Sequence, residues 1–169
     1  NEDINEKIDE NIYAEAENLL VEVMNFINTN SFDKITENNL KLFEFIGKAG
    51  YITNLYGTGR PESGSEHILA KEIESKINIP HGISVSIGII IMSIIQKQYN
   101  EDIIKAIIKL KILDKEKKYG LNMKIIVNSL KKIKKREDRY TIINRNGKIN
   151  NIDEVIQKFE KILIENKVD

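Results

Sequence analysis

Residues 81–98, HGISVSIGIIIMSIIQKQ, decide the fold class of this chain. Ile83, Val85, Ile87 and Ile89 alternate with small residues, as they would in a half-buried strand. The apolar run then continues without alternation to Ile95, which a two-faced strand does not do. No second stretch of similar strength is available to pair with it, and an isolated strand is not stable in water. The segment therefore reads as a buried helix, apolar nearly all round, with small residues where neighbours approach. Ser84, Ser86, Gly88 and Ser93 interrupt it, so it falls well short of the roughly twenty apolar residues of a membrane span.

Immediately upstream lies GTGRPESGSEHILAKEIESKINIP, residues 57–80. Ser63 followed three residues later by Glu66 has the spacing of a capping box, which predicts a helix from Ser63 to about Ile77, ending before Pro80. His67 falls in its first turn, beside the end where backbone N–H groups lack partners. Pro80-His81-Gly82 then begins the next helix with its own histidine. These are the two histidines of the chain, fourteen residues apart.

Two neutral imidazoles from different helices can hold a divalent metal at about 2.0–2.1 Å, but a catalytic site usually has three protein ligands and one open position. The only nearby third candidate is Glu66, which the capping box would occupy. The pair by itself reads more readily as two structural or surface histidines than as a metal site.

Outward from this centre the chain is helical throughout. Ile4, Ile8, Ile12, Ala16, Leu19, Leu20, Val23 and Ile27 recur at helical spacing and end at a turn over 28–31. A second pattern starts near Thr36 and sets Leu40, Phe43, Ile46, Gly47, Gly50 and Leu55 on one face. Gly47 and Gly50 cost helix propensity, which suggests close helix–helix approach there. Asn100 caps a helix with Glu101 and Asp102 in its first turn and Ile103, Ile104, Ile107 and Ile108 inward. Gly120 and Asn122 precede another, carrying Ile125, Ile126, Leu130 and Ile133. Lys131, Lys132, Lys134, Lys135 and Arg136 surround its end and read as a solvated face. Tyr140–Ile143 is a short β-branched stretch, Asn146-Gly147 is a turn signal, and Asn151 with Glu154 caps the last helix. The expectation is an all-α bundle of six or seven helices.

A chain of 169 residues is the length of one ordinary domain and buries about two thirds of its unfolded surface. Its 26 basic and 26 acidic residues balance, so neither nucleic acid nor a membrane is expected as a partner. The absence of cysteine excludes disulfides, a thiolate nucleophile and cysteine-bound metal, and is compatible with the cytoplasmic location expected for it. No signal-peptide pattern is present. The sequence starts at Asn1 rather than methionine, as a processed product, a fragment or a trimmed form would.

Arg60-Pro61-Glu62-Ser63-Gly64-Ser65-Glu66-His67, followed by His81-Gly82, Val85 and Gly88, resembles the C-terminal half of the sn-glycerol-1-phosphate dehydrogenases. That group belongs to the superfamily of metal-dependent alcohol dehydrogenases, glycerol dehydrogenases and dehydroquinate synthases. Asp138-Arg139-Tyr140-Thr141-Ile142 is similar to a segment near the end of those enzymes, and the match runs in order from the helix around Tyr13. The resemblance implies that residues 1–169 form a single helical metal-binding domain, like the C-terminal domain of dehydroquinate synthase-like proteins. It also implies a divalent metal (zinc, nickel or iron) held by His67 and His81, and Arg60, Ser63 and Lys71 lining the substrate cleft. No residue here is assigned to catalysis or to cofactor binding.

The activity implied is NAD(P)-dependent oxidation of a small polyol or polyol phosphate, with the nucleotide carried by an N-terminal α/β domain that this sequence does not contain. That missing domain is the expected partner, and a homo-oligomer is compatible with the sequence. The chain would then be inactive without the missing half. Three features depart from the family pattern: the nucleotide domain is absent, an upstream aspartate ligand would fall before Asn1, and two motif positions differ. Lys71 stands where many members carry a second histidine, and Ile83 where many carry glutamate. These favour a competing reading, a non-catalytic helical interaction module derived from such an enzyme. A dehydroquinate-synthase-like elimination is a third reading, against which stands the lack of an Asn-Phe-Gly-His-Thr run before the first histidine.

Overall fold

A computed structural model describes residues 9–32, 38–98, 100–113, 118–134, 141–143 and 149–165. These residues form seven α-helices of nine or more residues, with short 3-10 and helical turns between them and no strand among the described residues, as the all-α expectation required. The chain divides into two compact units, Lys7–Gly64 and Ser65–Asp169.

In the first unit, α1 spans Glu10–Thr29. Asp9 caps it, its carboxylate accepting from the N–H groups of Asn11 and Ile12 at 3.0 and 3.2 Å. The second helix, α2, spans Asn39–Tyr56. It ends at Gly57, whose φ of +81° is a left-handed cap that glycine adopts without strain. α1 and α2 pack through an edge-to-face contact of Phe26 and Phe45, ring centres 5.4 Å apart, and through Lys48, whose Nζ lies 2.6 Å from Glu22. The apolar side chains buried here, among the described residues, are Ile27, Phe45 and Ile52.

Close approach at Gly47 and Gly50 is not found. A Cβ placed on either glycine would meet nothing within 4 Å. Leu40, Phe43, Ile46 and Leu55 do share the helix surface expected, but they are exposed, and Phe45 and Ile52 make the buried contacts instead. Helical spacing identifies a stripe; it does not identify what covers it.

The second unit is built around the stretch that decided the fold. α3 spans Ser65–Glu74 and α4 spans His81–Gln96. α5 (Glu101–Lys109), α6 (Met123–Lys132) and α7 (Ile152–Glu165) complete it. α4 buries Ile83, Ser84, Ser86, Ile87, Gly88, Ile90, Ile91 and Met92, and packs against α3 on one side and α7 on the other. Fully buried Leu69, Ile73, Ile87, Ile90, Ile91, Ile126 and Phe159 form the centre of one continuous core.

The remaining boundaries follow local chemistry. Asn100 caps α5, accepting from Asp102 and Ile103 N–H, and Asn122 caps α6 by accepting from Ile125 N–H at 3.1 Å. Lys131 and Lys132 occupy the last turn of α6 and are exposed, as a solvated helix end should be. α7 opens after Asn151, whose carbonyl accepts from the Val155 N–H at 3.1 Å. Lys135, Arg136, Tyr140 and the Asn146-Gly147 turn lie outside the described residues.

Candidate functional site

His67 is held in place by the start of α3. The helix opens at Ser65, two residues later than the capping-box reading placed it, and Ser65 is buried. Its Oγ accepts from the Ile142 backbone N–H at 3.1 Å, tying the first turn of α3 to the buried segment Thr141–Ile143. On the other side α4 comes so close that a Cβ at Gly88 would lie 2.5 Å from the Glu66 carbonyl oxygen and 3.0 Å from its Cα. Glycine is required there because backbone meets backbone.

His81 is positioned by the start of α4. Pro80 is extended, with φ −57° and ψ 134°, and its carbonyl accepts from Ile83 N–H at 2.9 Å, so His81 is the first helical residue. The two imidazoles, distant in sequence, come together: their ring centres are 5.2 Å apart with the planes tilted by 54°.

Each ring is oriented by a carboxylate. His67 Nδ1 lies 2.9 Å from Glu66 Oε1, and His81 Nδ1 lies 2.7 Å from Glu74 Oε1. An ionised carboxylate can only accept, so each Nδ1 carries a proton, and in the neutral form of either ring Nε2 is left with its lone pair. Glu74 also accepts a short hydrogen bond from the hydroxyl of Ser84, which is fully buried. Burial pushes the Glu74 carboxyl up. The hydrogen bonds from Ser84 and His81, with the charge of His81 and His67, outweigh it and hold the group below the ordinary carboxylate value of 4.5.

This donor set suits a metal at two positions. An ion bound at about 2.0–2.1 Å by two imidazole nitrogens holds the ring centres roughly 5 Å apart, in keeping with the observed separation. Metal-bound histidines characteristically donate their other N–H to a carboxylate, which both rings do here. No group of three His, Asp or Glu side chains that could together hold an ion occurs among the described residues.

Lys71, one turn after His67, is exposed. Ile83 is buried in the core. Arg60 lies in the 3-10 turn Arg60–Glu62, and the Ser63 N–H donates to the Arg60 carbonyl at 3.4 Å; both residues belong to the Lys7–Gly64 unit. Glu74 and Ser84 were not singled out by sequence reasoning. Ser84 had a local signal, three residues after His81 and so on the same face of α4. Glu74 had none, because it sits on the preceding helix.

No family model matches the chain. Three curated proteins do, each named glycerol-1-phosphate dehydrogenase (NAD(P)+). The protein of Korarchaeum cryptofilum is 29% identical over 120 residues, covering 68% of this chain and 38% of that protein. The one from Sulfurisphaera tokodaii is 35% identical over 111 residues, 63% of this chain and 31% of the relative. That of Thermoplasma acidophilum is 31% identical over 98 residues, 56% and 28% respectively. The chain thus spans about a third of the length of the relatives it matches, and the resemblance to the glycerol-1-phosphate dehydrogenases is borne out.

Proposed function

We propose that this chain is the helical metal- and substrate-binding part of an NAD(P)-dependent dehydrogenase acting on a small polyol phosphate, of the glycerol-1-phosphate kind. The observation that carries this reading is the imidazole pair: ring centres 5.2 Å apart, with each Nδ1 against a carboxylate and each Nε2 left as a ligand. His67 and His81 then supply two ligands, and a third comes from a segment outside this chain. A divalent metal bound there would supply Lewis-acid polarisation of a substrate carbonyl or hydroxyl, and a nicotinamide on a nucleotide-binding domain would exchange the hydride. Lys71, exposed one turn after His67, then pairs with the substrate phosphate.

The test is zinc or nickel binding by calorimetry to the chain and to its His67→Ala, His81→Ala double variant. Micromolar or tighter binding to the parent, lost in the variant, is the expected result. Equal affinity in both proteins would remove the site. A second reading, a non-catalytic interaction module, is favoured by buried Ile83 and by Lys71 one turn from His67, where it would repel a cation. It predicts no metal binding by the chain even when a nucleotide-binding domain is supplied.

A further inference from the structure

We propose that Glu74 is a positioning residue: through Nδ1 it fixes the tautomer and ring orientation of His81, and Ser84 in turn fixes Glu74. This deepens the metal-site reading above and rests on it for its purpose, though the geometry stands alone. Glu74 is the last residue of α3, and its carboxylate reaches across to the first turn of α4. One oxygen, Oε1, receives both His81 Nδ1–H at 2.7 Å and the Ser84 hydroxyl.

The arrangement constrains itself. Ser84 is fully buried and lies within 2.9 Å of the His81 carbonyl as well, so its hydroxyl cannot swing out to water. The Glu74 side chain is only 28% exposed, whereas that of His81 is 55% exposed. An imidazole with that much solvent around it has no packing to choose its tautomer; the carboxylate beneath it makes the choice. When the ring is neutral its proton is therefore on Nδ1, with the Nε2 lone pair directed away from Glu74. His67 gains the same bias from Glu66, its neighbour in sequence. Glu74 is the one that spans two helices, so it also ties the ring to the α3–α4 junction.

The first experiment reads the nitrogen signals of His81 in the metal-free chain, labelled with nitrogen-15, in mildly alkaline buffer. The parent should show Nδ1 protonated and Nε2 bare. In Glu74→Ala the ring should shift toward the Nε2-protonated form, while His67 keeps its signals. In Ser84→Ala the bias should weaken without reversing. Zinc affinity should fall about 10–100-fold in Glu74→Ala, the usual effect of removing an outer-shell partner. Glu74→Gln keeps the side chain's size and serves if the alanine variant does not fold; its amide can donate or accept, so a mixture of tautomers is expected. A His81 tautomer and a zinc affinity unchanged in both variants would overturn the proposal. Zinc affinity unchanged in the His67→Ala, His81→Ala double variant would instead remove the metal reading and leave the tautomer result standing.

Discussion

At the scale of single residues, two kinds of glycine separate cleanly. Gly88 faces backbone: a Cβ there would sit 2.5 Å from the Glu66 carbonyl, and neither helix can yield by turning a side chain. Gly88→Ala should therefore destabilise the chain by about 1–3 kcal/mol, as overpacking does, and chemical denaturation will show it. Gly47→Ala and Gly50→Ala should do the opposite. Nothing lies within 4 Å of either new methyl, and alanine in a helix interior is worth roughly 0.5–1 kcal/mol over glycine. A loss of stability at Gly47 or Gly50 would restore the close approach that the sequence suggested. Glu74 gives a pH signature. Its carboxyl is held below the unfolded value, so its contribution to stability is fully present above that value and lost as the pH falls through the folded one. The acid limb of the stability curve should flatten in Glu74→Gln; an identical acid limb in parent and variant would contradict the bonds drawn to His81 and Ser84.

At the scale of elements, what the sequence revealed depended on whether the signal was local. α4 was legible because a run apolar on every side has nowhere to go but the core, and Ile87, Ile90 and Ile91 are indeed fully buried. The Asn100 cap was legible because the bonded atoms lie two and three residues away. His67 and His81 were legible as helix starts, but their meeting was not, since it depends on how α3 and α4 cross. Glu74 was hidden for the same reason. The face of α2 was misjudged in its consequence: Leu40 and Phe43 are 86% and 70% exposed, and Phe45 packs instead. Ile87→Ala or Ile90→Ala should therefore cost about 2–5 kcal/mol, the range for truncating a buried aliphatic side chain. Leu40→Ser should stay within about 0.5 kcal/mol, as exposed substitutions usually do. Thermal melts of the three variants decide it, and equal costs would mean that α2 buries the face it shows.

At the scale of the whole molecule, the apolar core is unevenly shared. Among the described residues, Lys7–Gly64 buries Ile27, Phe45 and Ile52, supported by Phe26 against Phe45 and by the exposed ion pairs of Lys48. Exposed pairs of that kind contribute about 0–1 kcal/mol each. Two helices holding three buried side chains cannot offset a conformational entropy cost of about 1–2 kcal/mol per ordered residue. The Ser65–Asp169 unit contains the continuous cluster from Leu69 to Ile162, and both imidazoles with Glu66, Glu74 and Ser84 lie inside it. Separate expression of residues 65–169 should therefore give a helical protein that melts cooperatively and keeps nuclear Overhauser contacts between the His67 and His81 rings. Residues 7–64 expressed alone should show no cooperative transition. If 65–169 proves unfolded while the full chain folds, the core described here depends on the first unit, and the imidazole pair cannot be treated as the property of α3 and α4 alone.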